Sequence, residues 1–488
     1  MSAVIESRDI PVSWQLVPLK ELGVWSGGGT PSKAKPEYWT NGSIPWVSPK
    51  DMKTERIIDS EDHITKAAVE ESTAKLIPAG AVLVVTRSGI LSHTLPVAIS
   101  TVPVTVNQDL KAIAPKDGVL PDYLAWALRC FAREILNTCS KQGTTVASIE
   151  TAALHRFEIP VAPLDQQKRI VAEIEKQFSR LYDAVANLKR VKANLKRYKA
   201  AVLKAAVEGR LVVTETELAR REGRSFETGA QLLQRILETR RSQWKGKGKY
   251  KEPAAPETSD LPELPEGWVW ASIDQLAAPE PNSITDGPFG SNLKTEHYQE
   301  SGPRVIRLQN IKDGEFADEY AHISQMHFER LRKHEIQAGD LVIATLGDNP
   351  PRACIIPAFV GAAIVKADCI RFKPHSALTV AYLNAALNCQ PTRKRVKNVL
   401  HGIGRPRLSL GEIRAIALPI PPETEQRRIV AEVGRRLSLL RDTEAQVDAN
   451  LQRAERLRQS ILSRAFSGGL VNDNSTNPMS TAAVSGAA

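Results

Sequence analysis

The sequence predicts an α+β fold made of two tandem α/β domains separated by two long helices, which pair as an antiparallel coiled coil in a pseudo-twofold internal repeat. Three observations predict it. Arg169-Ile170-Val171-Ala172-Glu173 recurs unchanged as Arg428-Ile429-Val430-Ala431-Glu432, 259 positions on. Each copy mixes short β-type runs with one clear helix. Each copy then passes into a long stretch whose apolar residues step by three or four.

The repeat reaches far beyond that motif. Ile77, Ala79 and Gly80 fall on Ile336, Ala338 and Gly339; Asp109 falls on Asp368; Tyr123 and Cys130 fall on Tyr382 and Cys389; Gly209 falls on Gly468. More than 130 residues align without a gap, and upstream Trp14 pairs with Trp268 at an offset of 254. The anchors are largely apolar, Gly or Pro, the types that fix a backbone. Many differences lie in polar loops, so one scaffold carries two surfaces.

The expected boundaries run in order. Residues 1–163 form the first domain, with β-type runs such as Val82–Thr86 and a helix over Pro121–Leu136. Residues 164–212 form a long helix with Ile170, Ile174, Phe178, Leu181, Val185, Leu188, Val191, Leu195, Tyr198 and Val202 along one seam. Pro163 before it and Gly209 after it suit a helix start and stop. Such a helix is a rod of roughly 60 Å. Residues 213–266 hold a short amphipathic helix (Gly229–Trp244) and a Lys/Gly then Pro/Glu-rich linker. Residues 267–422 repeat the domain, with strands at Leu341–Thr345 and Ala363–Lys366 and a helix at Thr379–Asn388. Residues 423–471 repeat the helix, with Val433, Leu440, Val447, Ala454, Leu457 and Ile461 in its seam and Glu444 interrupting it. The tail 472–488 is rich in Ser, Asn, Ala and Gly and reads as disordered.

Composition narrows the partner. The chain has 488 residues, 42% hydrophobic and 25% charged, with a formal charge of +10. Those values suit two or three soluble domains and a polyanionic partner, with nucleic acid leading. Between Asp183 and Glu208 the first long helix carries Lys189, Arg190, Lys192, Lys196, Arg197, Lys199 and Lys204 without an acid, either a solvated face or a phosphate-facing strip. Five cysteines without a CxxC read as reduced thiols rather than a zinc site. No secretory leader or bilayer-length apolar run is evident, so the expected location is cytoplasmic, with no membrane.

Candidate DNA-reading positions are polar residues beside the matched apolar anchors. In the first copy they are Ser48, Lys50, Arg87, Ser88, Lys141 and Gln142. In the second they are Arg307, Gln309, Asn310, Arg352, Arg405 and Arg407. Arg and Lys match guanine edges and Asn and Gln match adenine edges, and all of them also match phosphates or plain solvent.

Catalytic motifs fail. Asn349-Pro350-Pro351 is three-quarters of an adenine-methyltransferase tetrad, but Arg352 stands where a stacking aromatic is needed. There is no Gly-rich strand-to-helix turn for a methyl donor, no P-loop and no HExxH. The expected catalytic and metal residues are therefore none.

A domain ending in a Pro-rich segment and QxRIVAE, then a long helix closed by Gly209-Arg210-Leu211-Val212, all repeated once, resembles the specificity subunits of type I restriction-modification enzymes. Leu264-Pro265-Glu266-Gly267-Trp268, Gly28-Gly29-Thr30-Pro31 and Pro36-Glu37-Tyr38-Trp39 are also similar to segments of their target-recognition domains. The resemblance implies two target-recognition domains, each reading one half of a bipartite asymmetric site in double-stranded DNA, with the helices setting the separation. It implies two modification subunits that methylate adenine with S-adenosylmethionine, and restriction subunits that use ATP and Mg²⁺, none of these cofactors being bound by this chain. The competing readings are a self-contained DNA adenine methyltransferase and a coiled-coil adaptor that binds only proteins.

Overall fold

The computed structural model describes residues 10–141, 146–244, 246, 248–347, 349–400 and 406–471. The chain divides into two compact units. One joins 1–189 to 448–488, and the other is 190–447.

In the first unit a five-stranded sheet runs in the order Gly23–Gly27, Leu110–Pro115, Val82–Val85, Val97–Ser100 and Arg56–Ile57. Val82–Val85 is buried on both faces, which suits its unbroken run of β-branched and aliphatic residues. A three-stranded sheet of Asp62–Ile64, Ile44–Val47 and Thr105–Val106 lies beside it in sequence. The expected helix 121–136 divides into Pro121–Cys130 and Ala132–Cys139, with Phe131 leaving helical geometry between them. The strand Gln15–Pro18 pairs antiparallel with Glu158–Val161 and delivers the chain to the first long helix, Leu164–Val207.

The second unit repeats the design. Ile284–Thr285, Cys369–Phe372, Leu341–Ala344 and Arg352–Ile355 form one sheet, and His322–Ile323, Tyr298–Ile306, Ala363–Val365 and Glu335–Ile336 form another. Val269–Ser272 pairs with Ala417–Ile420 just before the second long helix, Glu423–Phe466. The segment joining the copies holds two helices, Glu215–Glu222 and Gly229–Ser242. The first of these was not evident in the sequence, because its exposed positions are almost all charged.

The repeat is reproduced bond by bond. Tyr123 Oη donates to Pro160 O at 2.9 Å and Tyr382 Oη to Pro419 O at 2.7 Å. Gln167, fully buried, donates to Ala162 O and accepts from Leu120 N, while Gln426 donates to Pro421 O and accepts from Thr379 N. Trp14 Nε1 donates to Gln166 and Trp268 Nε1 to Glu425. The Gln and Trp bonds tie each domain to the first turn of its own long helix, and the Tyr bonds hold the strand that leads into it.

Each unit also holds the far end of the other copy's helix. In the first unit Ile461, Leu462, Ala465 and Phe466 share a core with Ile170, Ile174 and Phe178, so the two helices run antiparallel there. In the second, Val202, Ala206 and Val207 share a core with Ile429 and Val433. Gly209 and Gly468 end the helices at positive φ, 67° and 80°, and a Cβ there would strike Pro265 and Pro11 respectively. Along the seam Val191, Tyr198 and Leu457 are exposed and Leu181, Val185, Leu188 and Leu195 half-buried, whereas Leu440, Val447 and Ala454 of the second helix are buried.

At the start of the second long helix, the buried Glu215 carboxylate pairs with Arg428 at 2.5 Å and Arg224 at 2.6 Å. Burial alone would raise its pKa, but the bonds from Arg428 and Arg224 win, and it is held below the usual carboxylate range.

Three outcomes are expected. Phe466→Ala, which removes a ring packed on Tyr123 and Phe131, costs the first unit about 3–5 kcal/mol in denaturation followed by hydrogen exchange. The exposed Leu439→Ala changes stability by less than about 0.5 kcal/mol. Glu215→Gln costs the second unit about 2 kcal/mol at neutral pH. Since the folded pKa is lowered, the contribution of Glu215 is complete above the ordinary glutamate value of 4.5 and fades as pH falls below it. Parallel melting curves of wild type and Glu215→Gln below that pH would contradict the assignment.

Candidate nucleic-acid interface

The first unit carries an open groove of about 1740 Å³. Lys50, Lys53, Arg129, Arg133, Arg456 and Arg458 line it, against the carboxylates Glu55, Glu134 and Glu455. Arg129 is held over the Trp126 ring at 4.5 Å and donates to Val97 O, and burial lowers its pKa. One wall comes from the last turns of the second long helix. The sequence reading missed those residues, because only the tertiary fold brings position 456 to the first domain. The excess of cations suits a polyanion.

Within this unit the expected positions separate by role. Lys50 and Ser88 line the groove. Lys50 is exposed and bonded to Asp62 at 2.9 Å and Glu61 at 3.2 Å, and the Asp62 bond lifts its pKa above the usual lysine value. Ser48 is buried, and its hydroxyl and N–H both bond Asp51, so its side chain closes a turn. Ser88 caps a short 3-10 turn by accepting from Ile90 N. Arg87 is 62% exposed at its side chain, with Nε 3.8 Å from Asp109. Arg87 and Lys141 both flank Ser148, Arg87 through a bridge and Lys141 through its N–H at 2.9 Å. Gln142 lies outside the described residues.

In the second unit, Arg307, Gln309 and Asn310 occupy one turn after the strand Tyr298–Ile306. Asn310 is fully buried: its amide nitrogen donates to Ala317 O and Glu319 O, and its oxygen accepts from Arg307 N. An amide used three times in its own loop has nothing left for an adenine edge, so Asn310 holds the turn while Gln309 is exposed. Arg307 donates to Tyr320 O, and the Tyr320 ring is 67% exposed. Arg352 is half-buried opposite Ala344 in the hairpin whose turn contains Asn349 and Pro350. Arg407 bridges Leu346, pairs with Asp368 at 3.2 Å and lies 5.8 Å from the centre of the exposed Phe289 ring. Arg405 lies outside the described residues. Phe289 and Tyr320, two aromatic faces beside arginines, were missed, since a lone aromatic in a loop carries no periodic signal.

Comparison with known proteins adds the following. Residues 11–197 match the family model described as the type I restriction modification DNA specificity domain. The specificity subunit of the type I restriction enzyme EcoR124I/EcoR124II of Escherichia coli is 44% identical over 173 residues, 36% of this chain and 42% of that protein. The MjaIX specificity subunit of Methanocaldococcus jannaschii is 34% identical over 164 residues, 33% of this chain and 37% of its own. The alignments thus span less than half the length of these two relatives. The EcoDI specificity subunit of Escherichia coli aligns over 352 residues, 72% of this chain and 70% of that one, at 23% identity. A chain from a structure concerned with complex assembly and conformational transition of the type I R-M system shares the fold. Its TM-score is 0.62 at 18% identity, covering 94% of this chain and 99% of that one.

The division of roles around Arg307 is measurable. Asn310→Ala lowers unfolding stability by about 1–3 kcal/mol by stranding buried groups, whereas Gln309→Ala stays within about 0.5 kcal/mol. Equal effects of the two in urea denaturation would show that the buried amide does not hold this turn.

Proposed function

We propose that this chain is a type I restriction-modification specificity subunit, the non-catalytic DNA-reading subunit of such an assembly, a reading supported by the match of residues 11–197 to that family's DNA specificity domain. Each domain reads one half of a bipartite, asymmetric duplex site. Two modification subunits, adenine methyltransferases using S-adenosylmethionine, dock on the chain, and restriction subunits supply ATP-driven translocation and Mg²⁺-dependent cleavage. A partner of that kind places the protein in the cytoplasm. The observation that carries the reading is the duplicated frame bearing different side chains at equivalent places. Identical Tyr and Gln bonds hold both domains, while the polar loops diverge.

Base readout is assigned to Lys50, Arg87, Ser88, Lys141 and Gln142 in the first domain, and to Arg307, Gln309, Arg352, Arg405 and Arg407 in the second; of the described members, none is buried. Ser48 and Asn310 support them. The lysines that also carry ion pairs suit phosphate positioning better than base reading.

The test is methylome sequencing of cells expressing this chain with its host modification subunits. Replacing residues 1–163 by the corresponding domain of another family member is expected to change one half of the methylated motif and leave the other intact. A change in both halves, or methylation by this chain alone, would sink the assignment.

A further inference from the structure

We infer that Asp109 and Asp368 are positioning residues, each holding one arginine at the same place in its domain to read a G·C pair, although the arginine arrives from opposite strands in the two copies. The inference rests on the DNA-reading function proposed above and names the contact that would give each domain part of its specificity.

The frame around this place is the same in both units. Thr86 donates through its N–H and hydroxyl to Asp109 O, and Thr345 does the same to Asp368 O. Arg87 bridges Ser148, and Leu346 bridges Arg407. Shifting the first bridge by the repeat offset of 259 gives the second, so position 87 corresponds to 346 and position 148 to 407. In the first unit the arginine is on the earlier strand and in the second it is on the later one. Both nevertheless reach the equivalent carboxylate, Arg87 Nε at 3.8 Å from Asp109 Oδ1 and Arg407 at 3.2 Å from Asp368 Oδ1.

Sequence drift alone would not move an arginine across a bridge and leave its head group beside the same carboxylate. What is common to the two copies is a half-exposed guanidinium within ion-pair distance of an aspartate. That chemistry fits a base edge better than a phosphate. A carboxylate beside the arginine cancels its long-range attraction for the backbone and leaves the planar fork, which makes no hydrogen bond to that carboxylate, free to match guanine O6 and N7.

The surroundings are where the copies differ. Gly28 and Gly287 are equivalent, and each packs so tightly on the neighbouring chain that a Cβ would lie 2.0 Å from Val106 O or 2.1 Å from the Lys366 carbonyl carbon. Two residues on, Thr30 donates to Gln108 in the first unit, whereas the exposed Phe289 lies beside Arg407 in the second. An apolar face beside a guanine-reading arginine suits a thymine methyl.

The test uses the chain assembled with its host modification subunits and reads the methylated motif by sequencing. The wild type should show a G·C pair in each half. Arg87→Leu should reduce discrimination at one G·C pair of one half by about 10- to 100-fold. Adding Ser148→Arg, which copies the second unit's arrangement, should restore it. Arg407→Leu with Leu346→Arg is the reciprocal pair for the other half. Asp109→Asn should weaken discrimination at the same pair and add nothing in the Arg87→Leu background, which a purely structural role would not produce. Retained binding of the modification subunits reports folding of each variant. The inference is overturned by an unchanged motif in Arg87→Leu, or by a loss that Ser148→Arg leaves unrepaired. A wild-type complex that methylates no bipartite motif instead fails the functional reading itself, and this contact with it.

Discussion

A buried amide fixes each long helix to its domain. Gln167 and Gln426 sit in the first turn, without access to water, and each bonds backbone groups of the segments that precede it. An unsatisfied buried amide costs about 1–3 kcal/mol, so domain and helix cannot separate without exposing or stranding these groups. The tryptophans bonded to Gln166 and Glu425 converge on the same turn, and the tyrosine hydroxyls bonded to Pro160 and Pro419 hold the strand just before it.

The two copies spend this shared frame differently. At the start of the first long helix the tryptophan meets a neutral glutamine. At the start of the second it meets Glu425, whose buried carboxyl has a raised pKa and also accepts the Glu215 N–H. The inter-copy segment supplies Glu215 and Arg224 there, and the Glu215 carboxylate pairs with both Arg224 and Arg428. Arginines from non-equivalent positions likewise come near equivalent aspartates. Backbone anchors are kept and side-chain chemistry is exchanged around them.

Much of this was legible in the sequence because it is periodic or repeated. The offset exposed the duplication, the three-four spacing exposed the helices, and Gly209 and Gly468 marked their ends. The rest depends on contacts that spacing does not encode. Asn310 and Ser48 looked like readers, but the turns they close consume their polar atoms. The helix seam is unevenly covered, with Val191 and Tyr198 exposed and Val447 buried, since apolar periodicity says which face is oily and not what covers it. Arg456 and Arg458 meet the first domain's groove only because the helices are antiparallel.

The composition of the first unit bears on how the protein is made. Its core holds Trp14 and Leu19 from the beginning of the chain together with Ile461 and Phe466 from near its end. A ribosome emits those ends in order, and domains fold as their residues emerge. The second unit is one continuous stretch, 190–447, and has all its residues before the first has received its last helix. The domain synthesised first is therefore completed last, and until then the apolar surface around Tyr123 and Phe131 lacks its cover. Premature termination between Asp448 and Ile461 would leave a finished second unit and an unfinished first one.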